Sequence, residues 1–323
     1  MNVFVTGGTG FVGRALISSL IKKRPFEITL AMRDPAHVPS LGSERVKVFY
    51  IDSLNDRTDW SEMVSGADVV IHCAARAHLL KDKALNPLQE YRRVNVEGTL
   101  NLARQAVAAG VNRFIFISSI KVNGESTARG QPFTADSSPN PIDPYGISKL
   151  EAEQRLIELA ANSVMEIVII RPVLVYGPGV KANFLNMMRW LYKGVPLPLG
   201  AIHNKRSLVA LDNLVDLIVT CIDHPGAANQ TFLVSDGEDL STTELLRRMS
   251  QALCKRPHLL PVPAWMLETA AKVVGKQSIA QRLCGSLQVD ISYTRERLGW
   301  MPPVSVDAAL QKTAQYFLEQ QKQ

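Results

Sequence analysis

The sequence predicts a doubly wound α/β fold of the Rossmann type, a parallel sheet covered by helices on both faces, followed by a smaller C-terminal lobe. Three observations predict it. Short apolar runs alternate with longer helical stretches through the first half of the chain, and repeated strand–helix order implies a parallel sheet. The runs are nearly continuous in Val, Ile and Phe rather than alternating with polar residues, as strands buried on both faces are. A glycine-rich turn joins the first run to the first helical stretch.

The elements follow in order. Residues 2–6 form the first strand, and the glycine turn leads into a helix over 12–23. Strands are predicted at 27–32, 46–51 and 69–73. A helix over 87–109 precedes a strand at 114–118. Pro144 suits a first helical position, since its missing N–H has no partner there, and a helix runs to 161. A strand at 166–171 follows. Beyond Arg171 the rhythm loosens, with Pro and Gly gathering at 176–180 and 194–200. Residues 1–171 therefore read as the dinucleotide-binding domain and 172–323 as mainly a substrate-binding lobe, with one helix and one strand returning to the first sheet. Residues 242–253, 264–274 and 304–317 read as surface helices.

Composition excludes several classes. The chain has 323 residues, 46% hydrophobic and 20% charged, with 20 Gly and 18 Pro, so it can build a sizeable core and is neither disordered nor low-complexity. A net charge of +6 invites a nucleic-acid reading, but the basic residues are scattered and no recognition motif accompanies them. The four cysteines, Cys73, Cys221, Cys254 and Cys284, lack metal-ligand spacing, so no metal is expected. No signal-peptide pattern opens the chain and no apolar stretch reaches a membrane span. It reads as soluble and cytoplasmic, with reduced thiols.

The turn Thr6-Gly7-Gly8-Thr9-Gly10-Phe11-Val12-Gly13 places glycines at 7, 10 and 13 between a strand and a helix. Glycine lets backbone N–H groups approach a pyrophosphate closely, and the positive end of the helix dipole faces that anion. Gly7, Gly10, Phe11 and Val12 are therefore cofactor-binding candidates. The end of the second strand distinguishes NAD from NADP, because an acidic residue bonds the ribose hydroxyls while an Arg accepts a 2′-phosphate. Here Met32 takes the acidic position and Arg33 follows, which favours NADP; Asp34 could instead serve the ribose of NAD. Asp52, just past the third strand, is placed near the adenine, with Ser53 beside it.

Tyr145 and Lys149 stand four apart in Tyr-Gly-Ile-Ser-Lys, on one face of the predicted helix. An ammonium near the phenol, joined by the charge of an oxidised nicotinamide, favours the phenolate, so Tyr145 can act as general base or acid. Ser118 and Ser119 close the 114–118 strand, and Ser119 is the better hydroxyl partner for the reacting oxygen.

These residues resemble the extended short-chain dehydrogenase/reductases, the NAD-dependent epimerase/dehydratase family. The resemblance spans essentially the whole chain, through TGGTGFVG at the start, HCAAR at 72–76, NVEGT at 95–99, ISSIKVNG at 117–124, YGISK at 145–149 and RPVLVYGPG at 171–179. It looks nearest to bacterial UDP-sugar 4-epimerases and 4-keto-sugar reductases of surface-polysaccharide synthesis. The resemblance implies that Ser119, Tyr145 and Lys149 are catalytic. It implies that Asn95 steadies the active-site backbone, and that Ala74, Ala75, Arg76, Ser118 and Pro172 line the cofactor. Asn183, Arg206 and Arg282, with Ser119 and Lys121, would contact the sugar nucleotide. Guanidinium groups suit phosphate oxygens. Family members are often homodimers, and helices 87–109 and 144–161 would form that interface.

Departures from the family pattern narrow the reading. Dehydratases follow the catalytic Ser/Thr with Asp-Glu, whereas Ile120 and Lys121 stand here, so elimination of water is not expected. Leu174 stands where epimerases often carry Asn. Met32-Arg33 favours dissociable NADPH and hence a 4-keto-sugar reductase, with a UDP-glucose or UDP-N-acetylglucosamine 4-epimerase as the alternative. A reductase of non-nucleotide carbonyls and a non-catalytic cofactor-bound regulator are more distant alternatives. Asp212 reads as a helix N-cap, His78 as a solvent or packing residue, and the helix carrying Trp265 and Met266 as packed on the substrate lobe.

Overall fold

The computed structural model describes residues 1–23, 26–33, 45–77, 85–128 and 130–321. Strands β1 (Asn2–Thr6), β2 (Glu27–Met32), β3 (Val46–Tyr50), β4 (Val69–His72), β5 (Arg113–Ile117) and β6 (Glu166–Pro172) match the predicted runs to within a residue at either end. Between them lie helices α1 (Phe11–Lys23), α2 (Ser61–Val64), α3 (Pro87–Arg92), α4 (Thr99–Ala108) and α5 (Pro144–Ala161). The C-terminal half adds β7 (Leu174–Tyr176), α6 (Ala182–Tyr192), β8 (Arg206–Ala210), α7 (Leu211–Thr220), β9 (Gln230–Val234), β10 (Asp239–Leu240), α8 (Thr242–Ala252), α9 (Ala264–Val273), α10 (Gln277–Cys284), α11 (Ser292–Leu298) and α12 (Val306–Gln320).

One sheet has the order β3-β2-β1-β4-β5-β6-β9, with every neighbouring pair parallel. Strand order reverses between β1 and β4, where Thr6 pairs with His72. A doubly wound sheet opens its ligand crevice at the carboxyl ends of the strands at such a reversal. Side chains alternate across the sheet. Val3 and Val5 pack with Leu16 and Leu20 of α1 and Leu214 and Ile218 of α7, whereas Phe4 packs with Trp60, Leu100 of α4 and Leu156 of α5. Both faces are thus covered, which is why the central runs carry no polar alternation.

Chain beyond residue 171 completes this sheet: β9 pairs with β6, and α7 covers the same face as α1. A second sheet, β10-β8-β7, and helices α6, α8 and α12 enclose a separate core around Tyr176, Phe184, Met188, Leu246 and Phe317. Helix α9 touches that core through Ala264 and Leu267, while Trp265, at 66% exposed, Met266 and Val273 face outward. No helix of the described residues is long and apolar enough to cross a membrane.

Two local expectations change. The 87–109 stretch is not one regular helix, because a wider π turn at Arg93–Gly98 joins α3 to α4. Gly98 allows the approach: a Cβ there would lie 3.1 Å from Leu54. Asp212 does not cap α7. Ala210 is the cap residue, and Asp212, in the first turn, pairs with Lys312 at 2.6 Å.

Candidate active site

The glycine turn closes on itself and on β4. Gly10 N donates to Gly7 O at 2.9 Å. Gly7 has φ +74°, and a Cβ on it would lie 2.6 Å from Ala74 N; one on Gly13 would overlap the Gly7 carbonyl. Only glycine permits this cradle at the start of α1, and a cradle that any side chain would fill fits a dinucleotide pyrophosphate. Phe11 and Val12 open the helix, half-buried against the core. Beneath the turn, Thr6 Oγ1 accepts from Ala74 N at 3.3 Å and bonds His72 Nδ1 at 2.7 Å, while His72 Nε2 meets Thr99 Oγ1 at 3.0 Å. Burial holds His72 neutral, pushing it down to about 3, with the Lys149 charge adding to the effect.

The π turn aims Asn95 inward. Its Oδ1 accepts from Arg76 N at 2.8 Å, and its Nδ2 donates to Arg76 O at 3.2 Å and to Ser148 Oγ at 3.0 Å. One amide therefore ties the loop after β4, Ala74 to Arg76, to the helix that bears Tyr145. The Arg76 guanidinium lies 5.4 Å from the Tyr91 ring centroid, and the Tyr91 and Tyr145 rings meet edge to face at 6.0 Å. The sequence offered no signal for Tyr91 beyond its place in a helical pattern.

Helix α5 starts where Pro144 predicts, with Asp143 as its cap: Asp143 Oδ1 accepts from Gly146 N at 2.7 Å. Ser119 caps a short 3-10 turn, Ile120–Val122, and its hydroxyl is hydrogen-bonded to the Tyr145 phenol. Lys149 is buried one turn on. Its Nζ donates to Ile117 O at 2.8 Å and lies 4.3 Å from the centre of the Phe116 ring.

Charge in the site differs from expectation. Burial raises the Tyr145 phenol above its ordinary value, with Asp143 and Tyr91 adding to the rise and the Ser119 hydrogen bond opposing it. Burial outweighs the draw of Lys149, whose own ammonium, bonded to the β5 carbonyl, is lowered to about 8 by burial, which Glu153 and Cys73 partly offset.

Several expected residues have other partners. Ser118 Oγ donates to Glu153 and its N–H to Ile170 O at 2.8 Å, so the side chain belongs to the wall behind the site. Pro172 is buried at the end of β6, paired with Val234. The Lys121 ammonium is not free for substrate: it pairs with Asp143, and with Glu125 at 2.9 Å. Arg33, Asp52 and Ser53 are exposed past the ends of β2 and β3, and Ser53 Oγ accepts from Asn55 Nδ2 at 2.7 Å. Asp34 and His78 lie outside the described residues.

Arg206 and Arg282, distant in sequence, come together. Arg206 Nη1 donates to Gly285 O at 3.0 Å, and its guanidinium is destabilised first by burial and then by the Arg282 charge. Two half-buried guanidinium groups that disfavour one another suit a bound diphosphate. Asn183 stands exposed in the first turn of α6. Leu174 begins β7, half-exposed. Among the described residues no cluster of His, Cys, Asp or Glu could hold a metal.

Comparison with known proteins places the family. The model of the NAD dependent epimerase/dehydratase family matches residues 3–235. A UDP-glucose 4-epimerase of Vibrio cholerae is 52% identical over 319 residues, 98% of this chain and 96% of that protein. Among solved structures, a UDP-glucuronic acid 4-epimerase from Bacillus cereus in complex with NAD superposes with a TM-score of 0.80 at 22% identity, covering 99% of both chains. A UDP-glucose 4-epimerase from Thermotoga maritima with UDP-glucose gives a TM-score of 0.76 at 23% identity, covering 99% of this chain and 100% of that one.

Proposed function

This chain belongs to the NAD dependent epimerase/dehydratase family, and on that premise we propose that it is a UDP-glucose 4-epimerase working with NAD. The observation that carries the reading is the likeness of half its residues, over almost its whole length, to a UDP-glucose 4-epimerase. The 4-keto-sugar reductase favoured by Met32-Arg33 has less support. Arg33 is one exposed residue past β2, and the family whose model the chain matches is described as NAD dependent. The NADP preference falls with it. A sugar nucleotide substrate is in keeping with a cytoplasmic protein.

In this reading the Gly7–Gly13 turn, the N-terminus of α1 and the Ala74–Arg76 loop hold the dinucleotide. Arg206 and Arg282 hold the diphosphate of the sugar nucleotide. Tyr145 takes the proton of the sugar 4-hydroxyl and returns it to the 4-oxygen after the hexose has presented its other face. Ser119, beside the phenol, turns its one hydroxyl proton to the same oxygen and steadies its changing charge. NAD held there would supply hydride transfer at C4, and its positive ring would favour the phenolate that burial disfavours in the chain alone. Lys149, charged and dry beneath the helix, adds to that field. Anchoring by the diphosphate leaves the hexose itself free to turn.

The test is incubation of the purified protein with UDP-glucose or UDP-galactose and no added cofactor, followed by separation of the isomers. Interconversion from both sides supports the epimerase. Oxidation of NADPH with a UDP-4-keto sugar, in the absence of isomerisation, would instead restore the reductase.

A further inference from the structure

We propose that Lys121 is a positioning residue for the Tyr145 proton transfer, acting by pairing with Asp143 at the start of α5 rather than by touching substrate. The inference rests on the epimerase reading for its kinetic arm.

Lys121 lies two residues past Ser119 on the same 3-10 turn, and its backbone N donates to Ser119 Oγ at 3.3 Å. Its ammonium reaches across to Asp143, two residues before Tyr145, and also meets Glu125 at 2.9 Å. Lys121 and Asp143 are only 22% and 19% exposed, so water screens them weakly. Asp143 therefore has two tasks. One oxygen caps α5 through Gly146 N, and the other receives Lys121. The negative charge of this carboxylate opposes ionisation of the phenol, and the Lys121 ammonium offsets it. The pair also pins the turn that presents Ser119 to the helix that presents Tyr145, and those two side chains share a hydrogen bond.

Among the described residues, the other groups around the phenol have contacts of their own beside the Lys121–Asp143 pair. Tyr91 of α3 meets the Tyr145 ring edge to face, and Arg76 lies over the Tyr91 ring. Lys149 is engaged by Ile117 O, and Ser119 contributes a hydroxyl. Glu125 carries a second negative charge onto Lys121. Lys121 is thus a cation bonded to the carboxylate that borders the reacting group.

Opposite signs test the proposal. Lys121→Met is expected to move the acid limb of the kcat/KM profile to higher pH, with about tenfold lower kcat/KM on that limb. Asp143→Asn keeps the helix cap, since Asn caps as well as Asp, and is expected to move the limb to lower pH. In the Asn background, Lys121→Met should no longer raise it above the unaltered protein. A second readout does not depend on turnover: the Tyr145 phenol, identified by difference from Tyr145→Phe, is followed by NMR of 13C-labelled tyrosine through a pH titration. It should shift upward in Lys121→Met and downward in Asp143→Asn. If the unaltered protein isomerises no UDP-sugar, the epimerase reading fails and the NMR titration alone decides this proposal. A rise in KM with no movement of the limb would make Lys121 a substrate contact and overturn it. So would phenol shifts of the same sign, or none, in the two variants.

Discussion

Arg171, near the end of β6, grips Glu153 of α5 from two sides. Its Nε lies 3.0 and 3.2 Å from the carboxylate oxygens and Nη2 lies 2.5 Å from Oε2, with neither side chain more than 8% exposed. Ser118 donates to the same carboxylate, and Arg171 Nη1 reaches Asn123 Oδ1 at 3.1 Å. Breaking a buried pair leaves an uncompensated charge, at a cost of about 3–5 kcal/mol. Glu153→Gln should lower stability by that order in urea denaturation. Glu153→Gln with Arg171→Met should cost less than the single change; an equal or larger loss would show that the charge pair is not what holds this wall.

Tyr145→Phe removes the proton carrier and leaves the edge contact with Tyr91 in place. Turnover should fall by about 10²–10⁴-fold, the range of general acid–base catalysis. NAD affinity, measured calorimetrically, should change little. Near-normal turnover would remove Tyr145 from the chemistry.

The Lys149 ammonium, lowered to about 8, sets an alkaline limit. As pH rises through that value Lys149 loses its charge and its support of the phenolate, so kcat/KM for the free enzyme should decline above about pH 8. Lys149→Arg should carry no such limb in that range, because guanidinium remains protonated. A decline at the same pH in the arginine variant would assign the limb to another group.

His72 is held near 3 in the fold against 6.5 for the ordinary ring. Between those values the unfolded chain binds a proton that the folded chain refuses, so stability is full above about pH 6.5 and falls as pH drops toward 3. The loss at pH 5 should be about 2 kcal/mol. His72→Gln should flatten the dependence of the urea midpoint on pH in that window, and an unchanged slope would acquit His72.

Gly7→Ala introduces a side chain at φ +74° with a backbone nitrogen 2.6 Å away. Dinucleotide binding, followed by calorimetry, should be lost or weakened by at least about tenfold even where the variant folds, because the turn must open to admit the methyl group. Retained affinity would place the pyrophosphate elsewhere.

Much of this site can be read along the chain. Gly7, Gly10 and Gly13 declare the cradle because their spacing matters locally, and Tyr145 and Lys149 share a face because Pro144 and Asp143 set where the helix begins. The partners of those residues cannot be read so. Nothing near Asn95 announces the π turn, whose register is settled by Arg76 and Ser148. Lys121 reads as a substrate contact until Asp143, 22 residues away, is folded beside it.

Local patterns of polarity, glycine and helix-start residues are enough to establish the doubly wound sheet, the dinucleotide cradle and the tyrosine–lysine pair, since each depends on neighbours within a turn or a strand. Which strand closes the sheet beside β6, the meeting of Arg206 with Arg282, the wall formed by Glu153, Arg171 and Ser118, and the neutral, desolvated state of Tyr145 depend on folding. They arise from contacts between distant segments and from the exclusion of water, and neither quantity is written in the spacing of residues along a chain.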